Sequence, residues 1–437
     1  MQLDKKGRKA IFNLIFHFNL HLFYRVFPFL RRGKFDLKSF RENYKDDYII
    51  ELSSLERSRF AEFSKCINCG LCSSQCPVLR SLKKDNFLGP GSIAISLSRS
   101  LPELWATKDV IYNCLNCVAC NVVCPQGVPI DEIVSFVRGK IFQEGINFLP
   151  DAYQEIISNI KELGNIYGER KADFSIYEKE KAEYVFFVGC VSAYKERESI
   201  ERTLSLLKHL KVSFTTIDEV CCGRFYKIGG ADLSVCLPSP GEKQSCCHLP
   251  TSTGQAGKVR DVVGENINKV MEKGTNKIIT TCPECYLTFR NNPDYQKELE
   301  VEHITQFLSK IEIKIKTDKR ITYHDPCDLG RLSGIYEEPR SLIKKFAPNF
   351  VEMENSRELS ACCGSREGGR IIDEEIILSV SKRRIKEAED VGAEVLLTSC
   401  PSCLHNLKKA ISKEQKIKVY NISEYMGGIY GNFKTRA

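Results

Sequence analysis

The pattern of apolar and polar positions divides the chain into distinct regimes. Residues 10–30 (AIFNLIFHFNLHLFYRVFPFL) are mostly apolar, with Asn13, His17, His21 and Arg25 at steps of four. On a helix these four form one slowly drifting polar stripe against Phe, Leu, Ile and Val. Residues 46–150 hold a cysteine-rich block in a helical context, and 151–181 read as a polar, charged helix-and-linker stretch. From Tyr184 onward short β-rich runs appear (YVFFVG, KIITT, RITYH, EVLLTS, IKVYNI). Helical stretches such as 196–210 and 371–391 separate them, an alternation that predicts α/β units.

The second half is an internal repeat, which resets the domain count. One copy runs from Cys190 through Cys221-Cys222-Gly223 to Cys282-Pro283-Glu284-Cys285. The other runs from Cys327 through Cys362-Cys363-Gly364 to Cys400-Pro401-Ser402-Cys403. A threonine-bearing strand precedes each Cys-Pro-x-Cys unit. Cys222 to Cys282 is 60 positions and Cys363 to Cys400 is 37, so the first copy carries 23 extra. They fit a Pro-, Ser-, Thr- and Gly-rich segment at 235–257, which reads as a loop. Its Cys236, Cys246, Cys247 and His248 are read as free thiols with a histidine, the alternative being a further metal site.

Composition sharpens this picture at one point only. With 42% hydrophobic and 27% charged residues the 437-residue chain is ordinary and has room for two or three domains, but it holds 21 cysteines. An odd number clustered in C-x-x-C units argues for metal rather than a disulfide framework, and hence for a reducing compartment. The net charge of +8 is local: residues 1–34 carry eight basic groups against Asp4, leaving about +1 for the rest. No aromatic-interleaved basic patch lies elsewhere, so nucleic acid is not an expected partner. Residues 8–34 predict peripheral contact with a membrane or a membrane subunit, on the acidic cytoplasmic face. Arg25 and two histidines argue against a spanning helix, and the lack of a small-residue cleavage site argues against a signal peptide. His17 and His21 are read as facing water, with haem ligation as the alternative.

Residues 66–77 read C-I-N-C-G-L-C-S-S-Q-C-P and residues 114–125 read C-L-N-C-V-A-C-N-V-V-C-P. Each is the C-x-x-C-x-x-C-x-x-x-C-P run of bacterial two-cluster ferredoxins, in which the fourth cysteine serves the other cluster. The crossed assignment places Cys66, Cys69, Cys72 and Cys124 on one [4Fe–4S] cluster and Cys114, Cys117, Cys120 and Cys76 on the other. Structural zinc would not require eight cysteines in this arrangement. The long spacing between the runs suggests the helical kind of dicluster domain found in reductase subunits.

Five cysteines per copy in the second half exceed what a cubane or zinc site needs, and suit an open cluster with a bridging thiolate. The following glycine allows close backbone approach. This half resembles the Cys-Cys-Gly domain family of the heterodisulfide reductase catalytic subunit and of glycolate and lactate oxidase iron–sulfur subunits. The string His324-Asp325-Pro326-Cys327-Asp328-Leu329-Gly330-Arg331 is typical of the second copy. The resemblance covers 60–425 and implies one or two further, non-cubane clusters. Their implied ligands are Cys190, Cys221, Cys222, Cys282 and Cys285 in the first copy. In the second they are Cys327, Cys362, Cys363, Cys400 and Cys403. His324 is a candidate hydrogen-bond donor to a cluster or substrate, or else a core histidine.

The expected fold is α+β: a basic amphipathic segment (1–45), a helical dicluster ferredoxin domain (46–150), a helical linker (151–181) and two repeated α/β Cys-Cys-Gly domains (182–312 and 313–437). The expected function is an iron–sulfur electron-transfer subunit of a membrane-associated, heterodisulfide-reductase-like oxidoreductase. Expected partners are a flavin dehydrogenase subunit, a membrane cytochrome or quinone-reactive subunit, or both. The alternative is an enzyme that reduces a thiol or disulfide substrate directly at its Cys-Cys-Gly clusters. No G-x-G-x-x-G after a strand and no P-loop is present, so neither flavin nor nucleotide is expected on this chain.

Overall fold

A computed structural model of the chain describes residues 5–27, 37–43, 52, 54–81, 87–99, 110–144, 149–229, 261–292, 298–365 and 374–434. The 235–257 segment, with Cys236, Cys246, Cys247 and His248, lies outside the described residues. The chain forms two compact units, Met1–Glu51 and Leu52–Ala437.

The first unit contains α1 (Lys5–Val26) and α2 (Leu37–Asn43). Arg25 in the last turn of α1 suits the negative end of its dipole. Phe12, Leu14, Ile15, Phe16 and Phe18 along α1 are all exposed, as are His17 and His21. No helix among the described residues is long and apolar enough to cross a membrane.

The second unit begins with short helices around the cysteine runs: α3 (Ser54–Phe63), α4 (Leu71–Gln75), α5 (Gly89–Arg99), α6 (Ala119–Val122) and α7 (Ile130–Glu144). Next comes α8 (Asp151–Leu163), closed by Gly164 in the left-handed conformation. The sequence suggested a polar, charged helix and linker here, and α8 is that helix, but not polar all round. It buries Tyr153, Ile156, Ile157 and Ile160, spaced to share one face. The Tyr153 ring lies 4.9 Å from Tyr112 and 4.6 Å from Phe225, so α8 is a strut between the ferredoxin block and the first repeat.

The first repeat runs β1 (Tyr184–Phe187), α9 (Cys190–Tyr194), α10 (Arg197–His209), β2 (Phe214–Thr215), α11 (Arg224–Gly229), α12 (Val262–Glu272), β3 (Lys277–Thr280), α13 (Pro283–Arg290), β4 (Glu300–His303) and α14 (Ile304–Ser309). The second runs β5 (Ile321–His324), α15 (Glu337–Phe346), α16 (Glu374–Asp390), β6 (Val395–Thr398), α17 (Pro401–Ala410), β7 (Lys418–Asn421) and α18 (Ile422–Lys434). Among the described residues each repeat is one parallel sheet, ordered β2-β1-β3-β4 and β5-β6-β7. The chain is thus a helical block followed by repeated parallel-sheet domains, an α+β fold. The five strands predicted from apolar runs are present. The edge strands β2 and β4 were not predicted: one is two residues long, and in Glu300–His303 only His303 is fully buried.

The repeats share one core. Phe186, Leu204, Leu207, Ile279 and Leu308 of the first cluster with Tyr323, Leu342, Phe346, Leu397 and Met426 of the second. Helix α18 packs on α10, and the buried hydroxyls of Thr203 and Ser423 meet at 2.8 Å between them. Parallel strands point the same way, so the loops leaving β1, β3, β5 and β6 gather at the sheets' carboxyl ends, where α/β folds place their sites. Each of these loops carries cysteine.

Candidate metal centres

The eighteen described cysteines are all free thiols, most of them buried. The structure gathers seventeen of them into four sets. Cys66, Cys69, Cys72 and Cys124 line one cavity, together with Gly91 and Val128. Cys76, Cys114, Cys117 and Cys120 line a second, with Phe87, Pro90 and Val134. The fourth cysteine of each run therefore turns away from its own triplet and faces the other's.

Backbone conformation explains how three cysteines at i, i+3 and i+6 can converge. Asn68 and Gly70 in the first run have φ of 56° and 80°, and Asn116 and Val118 in the second have 44° and 65°. Left-handed residues at matching positions curl the loop so that successive N–H groups face inward, a nest suited to an anionic group such as an iron–sulfur cluster. Valine is a poor residue for that conformation, at a cost of about 1–3 kcal/mol. Its side chain is buried, which returns about 1.5–3 kcal/mol, enough to hold it there. Asn116 N–H donates to Cys114 Sγ at 3.3 Å, and Val128 N–H to Cys124 Sγ at 3.4 Å.

Two residues that the sequence patterns did not single out hold the second run in place. The buried Arg138 of α7 donates to Cys114 O at 2.7 Å and Ile111 O at 3.1 Å. Asn121 Oδ1 accepts from Ile130 N–H at 3.0 Å, capping the start of α7.

In the repeats the Cys-Pro-x-Cys units open helices. Cys282 and Cys400 are the extended N-cap residues of α13 and α17, each followed by proline in the first turn. Both thiols of each unit thus sit at a helix N-terminus, where the dipole favours thiolate. The second cysteine of each Cys-Cys pair completes the arrangement. Hydrogen bonds from Cys362 and Cys403 pull Cys363 down to about 5, and those from Cys221 and Cys285 lower Cys222 well below the ordinary thiol value. Cys363 Sγ lies 3.1 Å from Cys403 Sγ. The Cys190 and Cys222 hydrogen bonds and burial raise Cys221. Cys327 is buried in the loop after β5 with its thiol donating to Asp328 Oδ2 at 3.5 Å, and its place in the second set is what the family resemblance implies.

The donor sets fit iron–sulfur clusters. Burial pushes Cys76 up to about 12, and burial first, then the charges of Cys114, Cys117 and Cys76, raises Cys120. Such groups become thiolates only beside a compensating cation, and metal binding there displaces protons.

The sets are also neighbours. The Cys117 thiol donates to Cys362, which together with burial raises Cys117 well above the thiol range. Arg331 spans the same junction, donating to Cys117 O at 2.7 Å and Ser360 O at 2.8 Å. Between the repeats, the largely covered Arg224, directly after the first Cys-Cys-Gly, pairs at 3.1 Å with Asp328, directly after Cys327. Cys282 also feels the charge of Cys400.

The motif around Cys327 divides its labour. Asp325 accepts a bidentate pair from buried Arg340 at 2.6 and 2.9 Å, so it anchors the loop. His324 is also buried and is held by Arg384 Nε at 3.0 Å. His324, Cys363 and Cys403 bring their ligating atoms within 4.8 Å of one another. In the first copy Glu219 accepts from Gly189 N–H at 2.7 Å and Val188 N–H at 2.8 Å, and desolvation pushes its carboxyl up to about 8.

Comparison with known proteins agrees with this division. Residues 184–232, 230–290 and 321–408 match the family described as a cysteine-rich domain (CCG), and residues 62–128 match the 4Fe-4S dicluster domain. One of the subunits of the CoM/CoB fumarate reductase of Methanothermobacter marburgensis is 30% identical over 386 residues, 84% of this chain and 72% of that protein. The chain belongs to the Cys-Cys-Gly iron–sulfur family. Another member is a component of the dihydromethanophenazine:CoB–CoM heterodisulfide reductase of Methanosarcina acetivorans, 28% identical over 82% of this chain and 91% of that one. The EtfAB:quinone oxidoreductase of Syntrophomonas wolfei is a longer relative, 25% identical over 84% of this chain and 58% of its own length.

Proposed function

We propose that the chain is the iron–sulfur electron-transfer subunit of a heterodisulfide-reductase-like oxidoreductase, carrying two [4Fe–4S] clusters in its ferredoxin block and one further cluster in each repeat. The observation that carries this reading is the junction of the ferredoxin block with the second repeat, where Arg331 donates to Cys117 O at 2.7 Å and Ser360 O at 2.8 Å and Cys362 shares a cavity with Pro77 and Ala119. Bound clusters would supply single-electron storage and transfer. The chain's own part is alignment. The Cys66/Cys69/Cys72/Cys124 set lies at the surface, where Cys69, Ile67 and Leu71 are exposed. The Cys76/Cys114/Cys117/Cys120 set follows, then the second repeat, then the first through the Cys400–Cys282 approach. Arg331 fixes the middle junction and Arg224 the last. Anaerobic reconstitution tests the reading: iron and acid-labile sulfide must exceed what two [4Fe–4S] clusters account for. A colourless zinc protein without labile sulfide would end it.

The names of the relatives favour a partner complex. We infer a flavin dehydrogenase subunit, a quinone-reactive or cytochrome subunit, or both, at the cytoplasmic face of a membrane. The exposed apolar side chains of α1 support docking through residues 8–34. Flotation with anionic vesicles checks this against a chain lacking residues 1–45, which should stay unbound.

A cleft beside the first repeat's cysteines favours a second reading, direct reduction of a disulfide substrate. It encloses ≈ 790 Å³ including its mouth, and Cys190, Cys221, Glu219, Lys171, Tyr194 and Asn165 line it. Disulfide reduction by the isolated chain from a chemical donor would establish this reading, and inactivity of fully loaded protein would remove it.

A further inference from the structure

We propose that His324 is a hydrogen-bond donor to the second repeat's cluster and not a ligand of it, and that it sets that centre's reduction potential above the first repeat's. The inference rests on the reading that the second repeat holds an iron–sulfur cluster.

His324 ends β5, paired with Thr398 of β6, and is 1% exposed. Its Nε2 has no hydrogen-bond partner among the described residues, although the ring stands beside the Cys363 and Cys403 sulfurs. An unpartnered polar atom buried against thiolates needs a partner at the site itself.

The ring's other nitrogen decides which kind. Nδ1 receives Arg384 Nε–H at 3.0 Å. A guanidinium has donors and no acceptor, so Nδ1 must offer its lone pair and the ring proton must sit on Nε2. Arg384 cannot readily turn away, because it also donates to Asn355 O at 2.9 Å and Ser360 Oγ at 3.0 Å and pairs with Glu387. Metal-ligating histidines show the reverse pattern, donating from the distal nitrogen to a carboxylate or carbonyl and coordinating through a bare lone pair. His324 thus presents N–H toward the sulfurs.

Among the described residues the first repeat has no counterpart of this histidine. Phe187 stands three residues before Cys190, as His324 stands three before Cys327. Phe187 is fully buried and packs edge-on against Phe289 at 4.8 Å. Two residues before the Cys-Cys pairs, the first repeat has Glu219 and the second Ser360, which accepts from Arg384. At these matching positions the first repeat has a phenyl ring and a carboxyl, and the second an imidazole N–H and a serine, both held by the buried Arg384, while Arg224 pairs with Asp328 between the two. Donors to sulfur and positive surroundings raise an iron–sulfur potential. His324 acts on the centre through sulfur and is a positioning residue. The asymmetry makes the second site the more readily reduced of the two.

The test uses the full chain, reconstituted anaerobically, with redox titration followed by electron paramagnetic resonance. His324→Phe, which copies the first repeat, should lower the second site's midpoint by at least about tenfold in the one-electron equilibrium, or 59 mV. Iron and sulfide content should not change. An unmoved midpoint overturns the proposal, and so does loss of iron from the variant, which would make His324 a ligand. Unaltered protein grown with ¹⁵N-histidine guards against a variant that fails to fold. Pulsed resonance should show weak coupling to a nitrogen bearing an exchangeable proton. Strong coupling of an iron-bound nitrogen, or none, refutes the assignment. If unaltered protein carries only the iron of two cubanes, the cluster reading itself has failed, and that result is distinct from all of these.

Discussion

Replacing Gly364 by alanine tests how closely the backbone of a Cys-Cys-Gly turn is fitted to its surroundings. Gly364 has φ of 78°, and its counterpart Gly223 has 84°. Alanine in that conformation costs about 1–2 kcal/mol wherever it stands. At Gly364 the new Cβ would also lie 2.7 Å from the backbone oxygen of Ile377 and 3.3 Å from both Asn406 Nδ2 and Ser381 Oγ. Those two side chains donate to Cys363 O at 2.9 and 2.7 Å, so any yielding moves the cysteine. Overpacking of this kind adds about 1–3 kcal/mol. Gly70→Ala provides the comparison, since Gly70 has φ of 80° and a Cβ there would meet nothing within 4 Å. Urea unfolding of both reconstituted variants, with iron content measured alongside, should show a loss of about 1–2 kcal/mol for Gly70→Ala and about 2–5 kcal/mol for Gly364→Ala. Only the latter should disturb the second repeat's resonance signal. Equal losses, or an unaltered Cys363 environment in Gly364→Ala, would refute the reasoning.

Other perturbations give separable outcomes. Burial depresses His303 to about 4, below its usual 6.5, so the neutral ring favours the fold above pH 6.5 and this contribution is lost as pH falls from 6.5 through 4. The difference in stability between wild type and His303→Gln should change by about 3 kcal/mol across that window, read from urea unfolding at stepped pH. Arg340→Met leaves Asp325 buried without its partner and should cost about 3–5 kcal/mol in the same measurement. Cys69→Ser should abolish one of two cubane signals while sparing those of the repeats, and an unchanged spectrum would refute the ferredoxin ligand assignment.

The spacing of the ferredoxin cysteines already grouped the thiols as the two cavities do, because that information is local: i+3 steps, a turn, a proline. The repeat was legible for the same reason, as was each central strand, whose apolar run is buried on both faces. The structures that escaped depend on neighbours. Strand β4 exists because β3 offers it a free edge, and Glu300–His303 carries no apolar run of its own. Helix α8 looked polar because only one face is apolar, and its burial depends on Tyr112 and Phe225. The roles of Arg138, Arg331 and Arg384 carry no local signal and emerge only with the carbonyls and the ring they serve. The burial of Arg384, as distinct from its role, left one trace: it falls on the helical stripe of Ile377, Val380, Ser381 and Ala388, where a solvated arginine has no place.

Duplication explains what the repeats share, and divergence around the cysteines explains why they need not do the same work. Each copy keeps the helix-opening Cys-Pro-x-Cys and a Cys-Cys pair whose second thiol accepts from two others. The ferredoxin block touches the second copy, through Cys117 and Cys362, whereas the cleft opens beside the first, at Cys190 and Cys221. On the proposed reading, a second site that exchanges electrons with the ferredoxin block would be served by a donor such as His324, held by the buried Arg384. A site that faces a cleft is served by a carboxyl and by space. On this reasoning His324→Phe should leave the resonance of the first repeat unchanged, since that repeat already carries phenylalanine at the matching position. A shift of both centres together would show that the two sites act as a single unit.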